Sequence, residues 1–191
     1  SGRAEPHSVV KAVRFLGSAT MLLVQLAALA AICYAAVDIR LHAVKNYGRV
    51  IHEFDPWFNY RATEYLSENG WSKFSTWYDY MSWYPIGRPV GATIYPGMQV
   101  TAVAIHETMK AMDGPVMASL TNAVGIPNGF DGVLLNDVCV LLPAAFGAIA
   151  SVLTGALATE ATNSRNAGVA TAAVMAIMPA HLMRSVAGGY D

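Results

Sequence analysis

From Phe15 to Val37 the chain reads "FLGSATMLLVQLAALAAICYAAV", an apolar run without a charge. As a helix rising about 1.5 Å per residue it spans roughly 34 Å, enough to cross a hydrocarbon layer of about 30 Å. Arg3, Lys11 and Arg14 precede it, and the bias of cations toward the cytosolic face puts the N-terminus in the cytosol. Val138 to Thr159 is a second apolar run, despite Pro143, and Gly168 to Met183 is a third, short and rich in alanine. Between those two, "EATNSRNA" at 160–167 reads as a short polar turn carrying Arg165. The pattern predicts an all-α polytopic membrane protein with spans over about 15–37, 138–159 and 168–183.

The stretch from 38 to about 95 has another character. All four tryptophans and seven of the nine tyrosines fall in it, as expected of rings with a polar handle at a membrane–water boundary. Asp55-Pro56 is a helix-start signal, a capping carboxylate followed by proline in the first turn. Phe58, Ala62, Tyr65 and Leu66 then recur at helical spacing, and Asn69-Gly70 supplies a stop, so a short amphipathic helix lies on the membrane surface. "WYPIGRPVGATIYPG" reads as an ordered loop, and so does "GIPNGFDG" further on. Ile94 to Met112 is helical in pattern but carries Gln99, His106, Glu107 and Lys110. Crossing would bury those groups, which favours an interfacial or partly embedded helix. With that segment uncrossed there are three spans, and residues 38–135 share the non-cytosolic side with Asp191.

Composition narrows the class. Hydrophobic residues make up 54% and charged residues 13%, against roughly 25% charged in ordinary soluble domains. With a net charge of −1, no basic surface suggests nucleic acid. Cys33 and Cys139 both lie in apolar runs and form neither a disulfide framework nor a metal pair. The chain opens on Ser1 and stops at "GGYD", and reads as a piece of a longer protein.

The strongest candidate chemistry is Glu53-Phe54-Asp55. Two carboxylates one residue apart at a membrane surface suit a hard divalent cation that holds a phosphate-bearing substrate, while Asp before Pro is also an ordinary N-cap. A carboxylate can serve both roles, one oxygen on a backbone N–H and the other on a metal. On the residues alone, Arg184 reads as a snorkelling cation at a span terminus and Asp191 as a solvated loop acid. "HETMK" at 106–110 lacks the second histidine a zinc helix needs, and "TWYDYMSWY" at 76–84 reads as an interfacial aromatic patch.

In order, "VIHEFDPWFNYRATEYL", "WYPIGRPVGATIYPG", "NDVCVLLP" and "RSVAGGYD" resemble the catalytic subunits of eukaryotic oligosaccharyltransferases, over about 50–191. The resemblance implies the N-terminal part of a C-type glycosyltransferase fold with a long luminal loop carrying amphipathic helices. It also implies a multi-pass protein of the endoplasmic reticulum membrane with its active site in the lumen. The implied reaction moves a preassembled oligosaccharide from a dolichyl diphosphate carrier to asparagine in Asn-x-Ser/Thr acceptors. The implied partners are that lipid-linked donor, the acceptor polypeptide, membrane lipid and other subunits of the transferase. By the same resemblance Asp55 and Asp191 are ligands of a divalent metal, Mn2+ or Mg2+, and Asp55 also approaches the acceptor amide. Glu53 is its neighbour in the first acidic motif, and Arg184 stands near the diphosphate. The family's later Trp-Trp-Asp motif has no counterpart here, and "WYDY" at 77–80 is not that motif. The competing readings are a protein O-mannosyltransferase, which shares the fold class, and a transporter or non-catalytic scaffold subunit.

Overall fold

The structure, a computed structural model, describes residues 6–112 and 134–190. The described residues are all-α, with a single isolated β-bridge between Asp79 and Arg88. Two stretches, Phe15–Arg40 and Leu135–Thr162, are long and apolar enough to cross a membrane. The chain divides into two compact units, one of Ser1–Arg40 with Ala144–Ser185 and one of Leu41–Pro143 with Val186–Asp191.

The first unit is built from apolar helices. Helix α1 runs Pro6–Arg40, and the stretch of α6 (Leu135–Thr162) from Ala144 onward belongs to the same unit. Helix α7 is Arg165–Ile177 and α8 is Pro179–Met183. Ala36, Ala148 and Ala176 form a buried cluster with Ile32 and Val37 against it. Small residues let the helix backbones come close, the usual basis of packing where lipid removes the hydrophobic drive. A Cβ added at Gly155 would stand 2.7 Å from the Gly168 carbonyl oxygen, so α6 and α7 meet almost backbone to backbone. Much of α1 faces outward, with Leu16, Leu23 and Val24 exposed, as a lipid-facing surface requires.

The third expected apolar helix is not continuous. Helix α7 stops at Ile177, and Met178 takes ψ +122° before Pro179 opens α8. A residue before proline is driven out of the α region, and the proline ring removes a ladder N–H. The polar turn is also shorter than 160–167, since α6 continues to Thr162 and α7 begins at Arg165. Ser164 caps α7, its side chain accepting from the Ala167 N–H.

The second unit carries α2 (His42–Tyr47), α3 (Phe54–Phe74), α4 (Val90–Thr93), α5 (Gly97–Ala111) and the start of α6. The apolar stripe expected on α3 is its packing face: Ala62 and Leu66 are buried with Phe74 and Val90, and Phe58, Tyr65 and Trp77 close over them. Tyr65 and Trp77 stack with centroids 4.1 Å apart. Gly70, at φ +75°, interrupts α3 where the Asn69-Gly70 signal predicted a stop, and one further turn follows it. Helix α5 packs along α3 and buries Gln99, Ala102 and His106. Its 15 residues reach roughly 22 Å, less than the hydrocarbon thickness of about 30 Å. The loop that follows α3 is braced by Asp79, which takes both Arg61 Nε at 3.0 Å and Nη2 at 2.9 Å. The "GIPNGFDG" loop lies outside the described residues.

Candidate active site

The first acidic motif stands at the start of α3, in the second unit. Val50, Ile51 and His52 lead into it without regular structure, Ile51 being buried. The His52 N–H donates to the Gly188 carbonyl at 2.9 Å, and the Gly188 N–H donates to the Val140 carbonyl of α6 at 2.9 Å. Gly188 has φ +92°, and a Cβ there would stand 2.6 Å from the Val50 carbonyl oxygen and 2.7 Å from His52 Cδ2. Both the left-handed backbone and the close approach demand glycine. The segment before Asp191 is therefore threaded between the lead-in to the acid-bearing helix and α6.

Glu53 is exposed and holds φ +66°, ψ +175°, a region open almost only to glycine. Such an outlier costs about 1–3 kcal/mol and persists where surrounding structure over-determines it, often at a working site. The expectation that Asp55 caps α3 is corrected. The helix begins at Phe54, so the cap position falls on Glu53, and no side chain makes a capping bond there. The left-handed turn at Glu53 starts the helix early and puts Asp55 inside its first turn. Pro56 follows, buried, in the first turn, where no N–H is needed. Asp55 is exposed, and within the described residues no protein group takes up its carboxylate.

One turn further along α3, the Asn59 Nδ2 donates to the Tyr190 carbonyl at 3.1 Å. Gln99 Nε2 of α5 donates to Asn59 Oδ1 at 3.3 Å, orienting that amide. The Tyr190 ring is fully buried beside Ala102, Cys139 and Leu142. Its hydroxyl lies 2.9 Å from Thr63 Oγ1 and 3.3 Å from the Met98 carbonyl oxygen. The Thr63 hydroxyl itself donates to the Asn59 carbonyl at 2.8 Å, which leaves its oxygen to accept from Tyr190. Burial pushes the Tyr190 phenol above the ordinary tyrosine range, with Cys139 adding to the rise, so it stays a neutral donor. The residue before Asp191 is thus held by ring and backbone to the helix that carries Asp55.

Asp191 itself lies outside the described residues. Arg184 is exposed just past α8, in the first unit. Among the described residues no group of three histidine, cysteine or acidic side chains is placed to hold a metal. Glu53 and Asp55 are hard oxygen donors, suited to Mg2+ or Mn2+ but supplying only part of a coordination shell.

The family model described as "Oligosaccharyl transferase STT3, N-terminal" matches residues 21–191. The chain belongs to that family. STT3 relatives include the dolichyl-diphosphooligosaccharide–protein glycosyltransferase subunit STT3B of rice, 41% identical over 89% of this chain and 21% of its own. The STT3 subunit of Saccharomyces cerevisiae is 39% identical over 84% of this chain and 20% of its own. The Caenorhabditis elegans stt-3 subunit is 37% identical over 92% of this chain and 21% of its own. The chain thus spans about a fifth of the length of these STT3 relatives.

Sequence reasoning passed over Asn59, Thr63 and Tyr190. A tyrosine after two glycines and an asparagine within a helix give no signal that they meet. The glycine pair was visible, but its cause is the approach to Val50 and His52, which only the fold supplies.

Proposed function

We propose that the protein to which this chain belongs transfers a preassembled oligosaccharide from dolichyl diphosphate to the asparagine amide of Asn-x-Ser/Thr acceptors. One observation carries the reading. The Tyr190 backbone, adjacent in sequence to Asp191, is hydrogen-bonded to the helix whose first turn presents an exposed Asp55. The STT3 membership of the chain supports it.

In this reading the acceptor nitrogen attacks the anomeric carbon of the donor. The bond from that carbon to the diphosphate oxygen breaks, the diphosphate leaves with the electron pair, and the amide nitrogen gives up its proton to the carboxylate hydrogen-bonded to it. An amide nitrogen is a poor nucleophile because its lone pair is delocalised into the carbonyl. The Asp55 carboxylate accepts from the amide N–H and weakens that conjugation. Glu53 adds negative charge beside it. Arg184 contributes a permanent positive charge against the diphosphate. Asp55 and Asp191 would hold a divalent cation, Mn2+ or Mg2+, which supplies charge stabilisation at the leaving diphosphate.

The finer assignments belong to the same proposal. Helices α1 and α6, and α7 with α8 as a broken third span, cross the endoplasmic reticulum membrane with the N-terminus cytosolic. Residues 38–135, with their aromatic side chains, then lie in the lumen, where a lipid-linked diphosphate and a nascent chain meet. Other subunits of the transferase are the remaining partners. The test is Asp55→Ala in the full-length protein. We expect loss of acceptor-peptide glycosylation with normal membrane assembly; glycosylation at the wild-type rate would overturn the assignment.

A further inference from the structure

Arg40, the last residue of α1, is 0% exposed and has no carboxylate partner among the described residues. A buried cation survives only if its donors are satisfied. Its Nε donates to Ser185 Oγ at 2.8 Å, and its Nη1 donates to the Ala36 and Ala176 carbonyls at 2.9 and 3.0 Å. Its Nη2 donates to His181 Nδ1 at 2.9 Å. The same Nδ1 lies 3.1 Å from the Met175 carbonyl oxygen; the guanidinium only donates and the carbonyl only accepts, so a bare Nδ1 serves Arg40 and a protonated one serves Met175. Ala176 lies in the last turn of α7, where carbonyls lose their helical partners. The guanidinium therefore closes the end of α7 across the break that Pro179 makes.

The other two partners bracket Arg184. His181 precedes it on α8 and Ser185 follows it directly, and the Ser185 hydroxyl donates to the His181 carbonyl at 2.6 Å. Gly147 of α6 makes room for this arrangement: a Cβ there would stand 2.5 Å from Arg40 Nε and 2.7 Å from Ser185 Cβ. All these residues belong to the first unit. The five N–H donors of arginine, arranged in a planar fork, reach three elements at once, which a lysine ammonium does not.

We infer that Arg40 is a positioning residue that sets the backbone on both sides of Arg184 and so aims that cation at the diphosphate. The inference rests on the proposed role of Arg184. The experiment uses the full-length protein in microsomal membranes, with a dolichyl diphosphate oligosaccharide donor and a short acceptor peptide. Arg40→Lys keeps the charge and loses the fork; Gly147→Ala displaces the fork from another helix; Ser185→Ala removes one bond. We expect Arg40→Lys and Gly147→Ala to lower kcat/KM for the donor roughly tenfold to a hundredfold, the scale of an ångström's misplacement. The acceptor KM should stay within about twofold, a split that general unfolding does not produce. Ser185→Ala should show a smaller donor defect of the same kind, and it decides the matter if the other two fail to assemble. Arg40→Lys combined with Arg184→Ala should be no worse than Arg184→Ala alone. Normal donor kinetics in an assembled Arg40→Lys, or an additive loss in the double variant, would overturn the inference. Full activity of Arg184→Ala would instead remove the proposed role of Arg184, and the inference with it.

Discussion

At the residue scale, backbone conformation decides more than side-chain identity. Gly188 is the sharpest case, since any side chain there meets both a left-handed φ and a carbonyl oxygen 2.6 Å from its Cβ. Gly188→Ala in the full-length protein should cost about 1–3 kcal/mol of local stability, and glycan transfer should fall, because the His52–Gly188–Val140 bonds are displaced. Protease susceptibility of the segment after α8, beside the transfer assay, checks both. Asp79 gives a prediction in pH. Burial alone would raise its pKa, but Ser82, Arg61 and the Met81 N–H donate to it, and together with the Arg61 charge they hold it below the usual carboxylate range. A depressed folded pKa adds stability that is fully present above the unfolded value of about 3.9 and lost as pH falls through the folded value. The thermal midpoint of wild type should thus exceed that of Asp79→Asn near neutral pH, and the gap should close on acidification below about pH 4. A gap that does not change with pH would refute the ion-paired role of Asp79.

At the scale of elements, α3 does two jobs with two faces. Its apolar stripe was legible because Phe58, Ala62, Tyr65 and Leu66 recur at helical spacing, and all four pack where that spacing puts them. Its polar contacts were not legible, because Asn59 and Thr63 find partners in Tyr190, which is remote in sequence. Asn59→Ala should free the Tyr190 carbonyl and cut glycan transfer while leaving the stripe and the fold intact. Thr63→Val removes the hydroxyl's bonds to the Asn59 carbonyl and to Tyr190 and should cost about 1–3 kcal/mol, with a milder loss of activity. Transfer kinetics compared with thermal midpoints separates the two; equal activity losses would mean that the carbonyl contact has no special weight. Helix α7 teaches the converse lesson. "IMPAHLM" contains the break in plain view, yet the apolar composition around Pro179 argued for one continuous span. Proline's local sterics prevailed, as the backbone of Met178 records.

For the whole molecule, the proposed activity includes a divalent cation, and among the described residues no three histidine, cysteine or acidic side chains gather to hold one. Chelation of the full-length enzyme should abolish transfer, and Mn2+ or Mg2+ should restore it where Ca2+, larger and less polarising, does so poorly. Transfer that persists after exhaustive chelation would remove the metal from the proposal. The sequence by itself determined the helical class, the apolar runs, the aromatic segment and the acidic motif. Periodicity, charge scarcity and residue type act locally and leave their mark in any window of the chain. Only the tertiary structure decided that Glu53, not Asp55, takes the cap position, and that Tyr190 is pinned to α3. It alone showed a buried Arg40 holding the residues around Arg184. Those outcomes depend on which remote carbonyl or hydroxyl stands within three ångströms or so of a given donor, a quantity that no local pattern encodes.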